Sequence, residues 1–200
     1  MRWFKWGFRF TLLALLALFL WYTLPQHDVV RITDAYNRLT TVSWENKYFF
    51  ASPDAGSAES KATRDIRFIN AVFPNGKVIV YRNEDTGWLW PPYFKYDSSN
   101  LQAEASNLKS TAQNPRWVMV THYGWRIPFL SIYPNAVRLR EVSGPDVSYF
   151  PWLNLTILAL LAFAVFWLWR MWLQFVERVV IPTRAKIEDR WDRFRAFFMR

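Results

Sequence analysis

From Trp152 to Trp169 the chain runs for 18 residues, WLNLTILALLAFAVFWLW, without one charged side chain. At about 1.5 Å per residue a helix of that length reaches about 27 Å, close to the ~30 Å hydrocarbon thickness of a bilayer. Beyond Arg170 the apolar text resumes as MWLQFV up to Glu177. The run predicts a transmembrane helix over residues 151–176. Trp152 at one end and Trp167, Trp169 and Trp172 at the other supply the aromatic side chains that favour membrane interfaces.

A second uncharged run, Phe10–Leu24, reads FTLLALLALFLWYTL. Its 15 residues would cover only about 22 Å. Adding Trp3, Phe4, Trp6, Gly7 and Phe8, with Lys5 and Arg9 snorkelling to the headgroups, gives a helix of adequate length. Tyr22, Thr23 and Leu24 stand where a cleavable signal would carry an Ala-x-Ala-like site. Residues 1–24 therefore read as a retained signal anchor.

Charge sets the orientation. Residues 1–24 hold three basic and no acidic side chains, residues 151–200 eight and four, and residues 25–150 fourteen and twelve. Basic flanks stay on the cytoplasmic side, so both termini are expected there and residues 25–150 in the periplasm of a Gram-negative cell, beyond the inner membrane. The net charge of +9 would otherwise suggest nucleic acid. Because the excess sits in the flanks and the centre lacks a basic stripe, no nucleic-acid partner is expected. The absence of cysteine excludes disulfides, thiolate nucleophiles and cysteine-bound metals. Only His27 and His122 exist; a zinc site would need both plus carboxylates, and the 94 residues between them leave their proximity unset by the sequence, so no metal site and no other cofactor is expected.

The central segment predicts short strands. Asp28–Thr33 alternates, and Leu39–Trp44 reads as extended. Asp65–Phe73 and Lys77–Tyr81 flank Pro74-Asn75-Gly76, a hairpin signal. Trp117–Thr121, Phe129–Tyr133 and Ala136–Val142 are further strand candidates, and residues 49–63 an exposed loop. Ser99 with Gln102 fits a capping box opening a helix through Leu101, Ala105 and Leu108. The fold class is thus a membrane protein whose two transmembrane helices flank a small α+β, mainly antiparallel periplasmic domain.

After Pro182, expected to end or kink the second span, Thr183 can cap an amphipathic C-terminal helix in the 177–200 tail. Ile187, Trp191, Phe194 and Phe198 fall on one stripe of it, suited to the membrane interface or to a partner.

No catalytic set emerges. No Ser, Asp or Cys spacing identifies a triad, which in any case is recognised by spatial geometry. The candidate partner or ligand surface comprises Arg82, Glu84 and Asp85, the aromatics Trp88, Trp90, Tyr93 and Phe94, and the group His122, Trp125 and Arg126. Polar residues there could converge on a small ligand. The aromatics offer more rigid surface than a turn needs.

Several long segments resemble one family. They are Leu24-Pro25-Gln26, Val29–Ile32, Arg64–Asn70, Val80–Gly87, Trp90–Lys95, Tyr123–Arg126 and Tyr133–Ala136. By these the chain resembles the DUF1523 family of alphaproteobacterial membrane proteins, over nearly its whole length. The resemblance implies a one-domain architecture and a bacterial inner-membrane location, with no activity, cofactor or catalytic residue to carry over. The function expected is that of a non-catalytic accessory or assembly subunit bound to the lipid bilayer and to a membrane-protein partner. The alternative is a periplasmic ligand-binding or envelope-sensing module.

Overall fold

A computed structural model describes residues 2–41, 49–50, 63–86 and 93–198. The chain divides into two units, Met1–Tyr149 and Phe150–Arg200.

The first unit opens with helix α1 (Arg2–Thr23), which passes through only Leu24 and Pro25 into strand β1 (Gln26–Thr41). Strands β2 (Thr63–Val72) and β3 (Val78–Arg82), helix α2 (Ser98–Asn107), and strands β4 (Trp117–Tyr123) and β5 (Asn135–Val142) follow. The strands close into a barrel in the order β1-β2-β3-β5-β4, with β1 also paired to β4. Four pairings are antiparallel, whereas β3 meets β5 in parallel at Arg82 and Asn135. The sheet is therefore mixed. Five strands in this order, with a helix between the third and fourth, form an OB-type Greek-key barrel.

One strand can serve both edges because β1 is long and bulged. Gln26–Val30 pair with β4, Arg31–Thr41 pair with β2, and Thr33 is the extra residue where the register shifts. A bulge bends its strand and increases the local twist, as closing a barrel requires. A second shift, between Thr121 and His122, leaves Val137 extra on β5. It explains how Ala136 and Leu139, three residues apart, both enter the core.

Elsewhere the two-residue period holds. Val30 and Ile32, Ile69 and Ala71, and Val118 and Val120 fill the interior with Tyr81, each Val or Ile side chain worth about 1.5–3 kcal/mol of burial. Leu101, Ala105 and Leu108 of α2 pack onto this core. The opposite face of β2 is covered too, since Ile66 and Phe68 pack with Phe50, Tyr36 and Tyr133.

The expected hairpin is present. Val72 pairs with Val78, and Gly76 takes φ +81° at the reversal, where Asn75 Oδ1 accepts the Lys77 N–H. Helix α2 is also present, but with a different cap: Asp97 accepts from Asn100 N. Gln102 instead donates to the Phe68 carbonyl of β2 and accepts from Asn83. The expected strand at Phe129–Tyr133 is absent. Pro128–Leu130 is a 3-10 turn, Ser131 is left-handed at φ +52°, and only an Ile127–Ile132 bridge remains. Most of the expected 49–63 loop and the end of the Leu39–Trp44 run lie outside the described residues.

The second unit holds α3 (Trp152–Phe175), a π turn (Val176–Val180) and α4 (Ile181–Phe198). Pro182 does not end the helix, and Thr183 is not its cap: the Thr183 hydroxyl donates back to the Val179 carbonyl. The π turn just upstream is where the ladder accommodates a residue lacking an N–H. Ile187, Trp191 and Phe194 are all exposed, and the side chain of Phe198 lies outside the described residues. Both α1 and the α3 rod are long and apolar enough to cross a membrane, and none of their apolar windows is buried.

Candidate functional site

The last turn of α1 is fastened to the barrel. The Gly124 N–H donates to the Tyr22 carbonyl over 2.9 Å, and Gln26 Nε2 donates to the Trp21 carbonyl. Gly124 sits at φ +89° beneath the Tyr22 ring, where an added Cβ would lie 3.5 Å from it. Tyr22 packs edge-on against Trp125, with Tyr123 and Phe49 around it, and Trp21 also meets Trp125. Tyr93 stacks on Tyr123 at 4.6 Å and donates its hydroxyl to the Thr23 carbonyl. These contacts satisfy carbonyls that the C-terminal end of a helix otherwise leaves open.

Beside this joint lies a cavity of about 440 Å³, lined by Leu18 and Trp21 of α1 and by Asp28, Ile79, His122, Trp125 and Arg126 of the barrel. Its floor is polar because the inward faces of β1 and β4 end in Asp28 and His122, two residues beyond Val30 and Val120. The Asp28 carboxylate accepts from Tyr81 at 2.7 Å and lies 2.9 Å from His122 Nε2. Burial opposes ionisation of Asp28, but the hydrogen bonds from His122 and Tyr81 outweigh it and hold the carboxyl below its ordinary range. Burial, helped by this carboxylate, pushes the Tyr81 phenol far up. His122 Nδ1 and Trp125 Nε1 are buried and have no hydrogen-bond partner among the described residues. Arg126 donates to the Ile132 carbonyl and lies over the Tyr133 ring.

A second polar cluster staples β3 to α2 and β5. Arg82 pairs with Glu84 at 2.7 Å, both largely buried, with its guanidinium over Phe50. Asn135 accepts from the Glu84 N–H, and its amide donates to the Glu84 carbonyl and to Tyr123 Oη. Asp85 accepts from Ser98 N and Oγ at the start of α2. Lys95 is 6% exposed and donates to Asn83 Oδ1 and the Ala136 carbonyl. Burial lowers its amine to about 7, with Asp85 pulling the other way.

Comparison with known proteins adds the lineage. Residues 1–176 match the family described as Protein of unknown function (DUF1523). The chain belongs to the DUF1523 family. A Haemophilus influenzae protein bearing only the description "Uncharacterized protein" is 38% identical over 125 residues, covering 62% of this chain and 66% of that protein. The matched stretch thus spans just under two thirds of the relative. No solved structure matches.

The segments by which the chain resembled the DUF1523 family meet in the fold. Arg82 N donates to Pro134 O, and Asn135 joins Glu84 to Tyr123. The candidate residues, however, separate into two groups. His122, Trp125 and Arg126 line the cavity at the joint, while Arg82, Glu84 and Asp85 are spent on internal contacts. Tyr93 belongs to the joint, and Phe94 is half exposed at φ +51°. Trp88 and Trp90 lie outside the described residues. Sequence reasoning missed Asp28, Tyr81 and Lys95. For Asp28 the signal was an acid at an inward strand position; for Lys95, nothing in the sequence marked burial. Among the described residues, no three His, Asp or Glu side chains are grouped to hold a metal ion.

Proposed function

We propose that this protein is a non-catalytic accessory subunit of a larger membrane complex, with two helices in the bacterial inner membrane, both ends cytoplasmic and the barrel periplasmic. The observation that carries this reading is the joint between α1 and the barrel. Two residues separate helix from strand, and backbone and aromatic contacts lock them. A barrel so fixed keeps one face at one height above the bilayer, which suits docking beside a membrane partner and would serve a freely ranging domain poorly. The charge distribution supports the orientation.

Purification of the full chain from its native membrane in a mild detergent should recover a stoichiometric membrane-protein partner. Recovery of a clean monomer or homo-oligomer would overturn the reading. A second reading, a ligand-binding module, is favoured by the cavity at the joint and its two buried, unpartnered nitrogens.

A further inference from the structure

We propose that the cavity at the barrel mouth binds the headgroup of an anionic phospholipid with a neutral polyol head, phosphatidylglycerol in chemical class, taken from the leaflet at the C-terminal end of α1. The inference rests on the placement of α1 in a membrane and not on the existence of a protein partner.

Place and chemistry argue together. One side of the cavity wall is membrane helix: Leu18 and Trp21 continue the exposed apolar surface of α1 up to the barrel. Trp21 and Trp125 sit as an edge-on pair there, the side-chain type that settles at headgroup depth. A lipid whose chains lie along α1 therefore has its phosphate and headgroup at the level of the cavity. The volume of about 440 Å³ lies within the range of small-ligand sites, and β-barrel mouths are a recurrent place for them.

The polar groups define what fits. A carboxylate only accepts, so with Asp28 ionised His122 Nε2 must donate to it, and in the tautomer that carries its proton there Nδ1 is an acceptor. Trp125 Nε1 is a donor only. Both atoms are buried without partners among the described residues, and a buried unpaired polar atom costs about 1–3 kcal/mol. Arg126 is exposed at the rim and has spent one N–H on the Ile132 carbonyl, leaving guanidinium donors for a phosphate. The site thus offers a cation, a donor and an acceptor. A phosphodiester meets Arg126 and Trp125, and a headgroup hydroxyl donates to His122. The Asp28 charge lies on the floor, already bonded by Tyr81 and His122, and disfavours a second anionic group at that depth. That selects a neutral polyol over a terminal phosphate.

The test uses the full chain in a neutral detergent, with native mass spectrometry against phosphatidylglycerol, phosphatidylcholine and soluble glycerophosphoglycerol. Phosphatidylglycerol should be retained over phosphatidylcholine, and the soluble headgroup should not bind. Arg126→Gln should weaken retention roughly 10-fold, and Trp125→Phe, which removes the indole donor, by roughly 5-fold. Equal retention by both variants would assign the lipid to the basic flanks and overturn the site. No preference over phosphatidylcholine would overturn it as well, and binding of the soluble headgroup alone would replace the membrane as its source. Should Arg126→Gln disturb the 124–134 segment, Trp125→Phe decides the question. Loss of lipid binding leaves the partner experiment unaffected, so the two proposals fail separately.

Discussion

The barrel carries two polar clusters, and they differ in what becomes of their hydrogen bonds. At the junction of β3, α2 and β5, the side chains of Asn83, Asp85, Lys95 and Asn135 all end on other protein groups. At the mouth, Asp28 is satisfied while His122 and Trp125 each keep a buried nitrogen without a partner among the described residues. Buried polarity that closes on itself fixes a fold, whereas buried polarity left open beside a cavity has capacity for something else. Arg82 complicates the contrast, since its Nε also lacks a hydrogen-bond partner among the described residues, but its guanidinium faces the Phe50 ring and not the cavity.

The contrast breaks most decisively at Arg82. Arg82→Ala leaves Glu84 buried without its counter-charge and should cost about 3–5 kcal/mol. Urea unfolding of the full chain in neutral micelles, followed by near-UV circular dichroism, would register it. A loss below about 1 kcal/mol would mean that the pair behaves as a surface salt bridge and that the staple is not structural.

Lys95 sharpens the same cluster through pH. Its amine titrates near 7 in the fold, against an ordinary 10.5 in the unfolded chain. Between those values the unfolded chain binds one more proton, so this residue makes stability rise with pH, by up to about 1.4 kcal/mol per pH unit. Below pH 7 both states hold the proton and the slope vanishes. Above pH 10 the buried tyrosines Tyr81, Tyr93 and Tyr123, whose phenols are raised, turn the profile down because the unfolded chain ionises first. Lys95→Met should remove the rise between pH 7 and 10. An unchanged profile would show that the amine stays charged in its pocket.

How far the sequence reached depends on the range of the interaction. The Pro74-Asn75-Gly76 hairpin was legible because turn chemistry and alternation lie within a dozen residues of each other. The two long apolar helices were legible because composition alone marks them. The parallel β3–β5 closure was not, since it rests on one pairing, Arg82 with Asn135, made by residues remote in sequence. Phe129–Tyr133 looked like a strand by apolar content, yet Pro128 fixes φ and lacks an N–H, which favoured a 3-10 turn. Ser99 and Gln102 satisfied a local capping pattern but were drawn into tertiary bonds to Arg67, Asn83 and Phe68. At the mouth, Trp125 and Arg126 stood out as residue types, whereas Asp28 meets His122 only through the β1–β4 register.

The smallest expected effect falls on the open cluster and is the most informative. Trp125→Phe keeps an aromatic ring against Tyr22 and Trp21 and removes an N–H that bonds to nothing among the described residues. Deleting a buried donor with no acceptor forfeits no hydrogen bond and relieves its desolvation, which offsets the smaller ring's lost packing. The full chain should therefore unfold within about 1 kcal/mol of the parent, against the several expected for Arg82→Ala. A cost of about 3 kcal/mol or more would show that Trp125 is a core residue of the joint, and the two clusters would then be alike in being structural. Unfolding unchanged together with weakened phosphatidylglycerol retention separates them, because an atom that contributes nothing to folding would then contribute to binding.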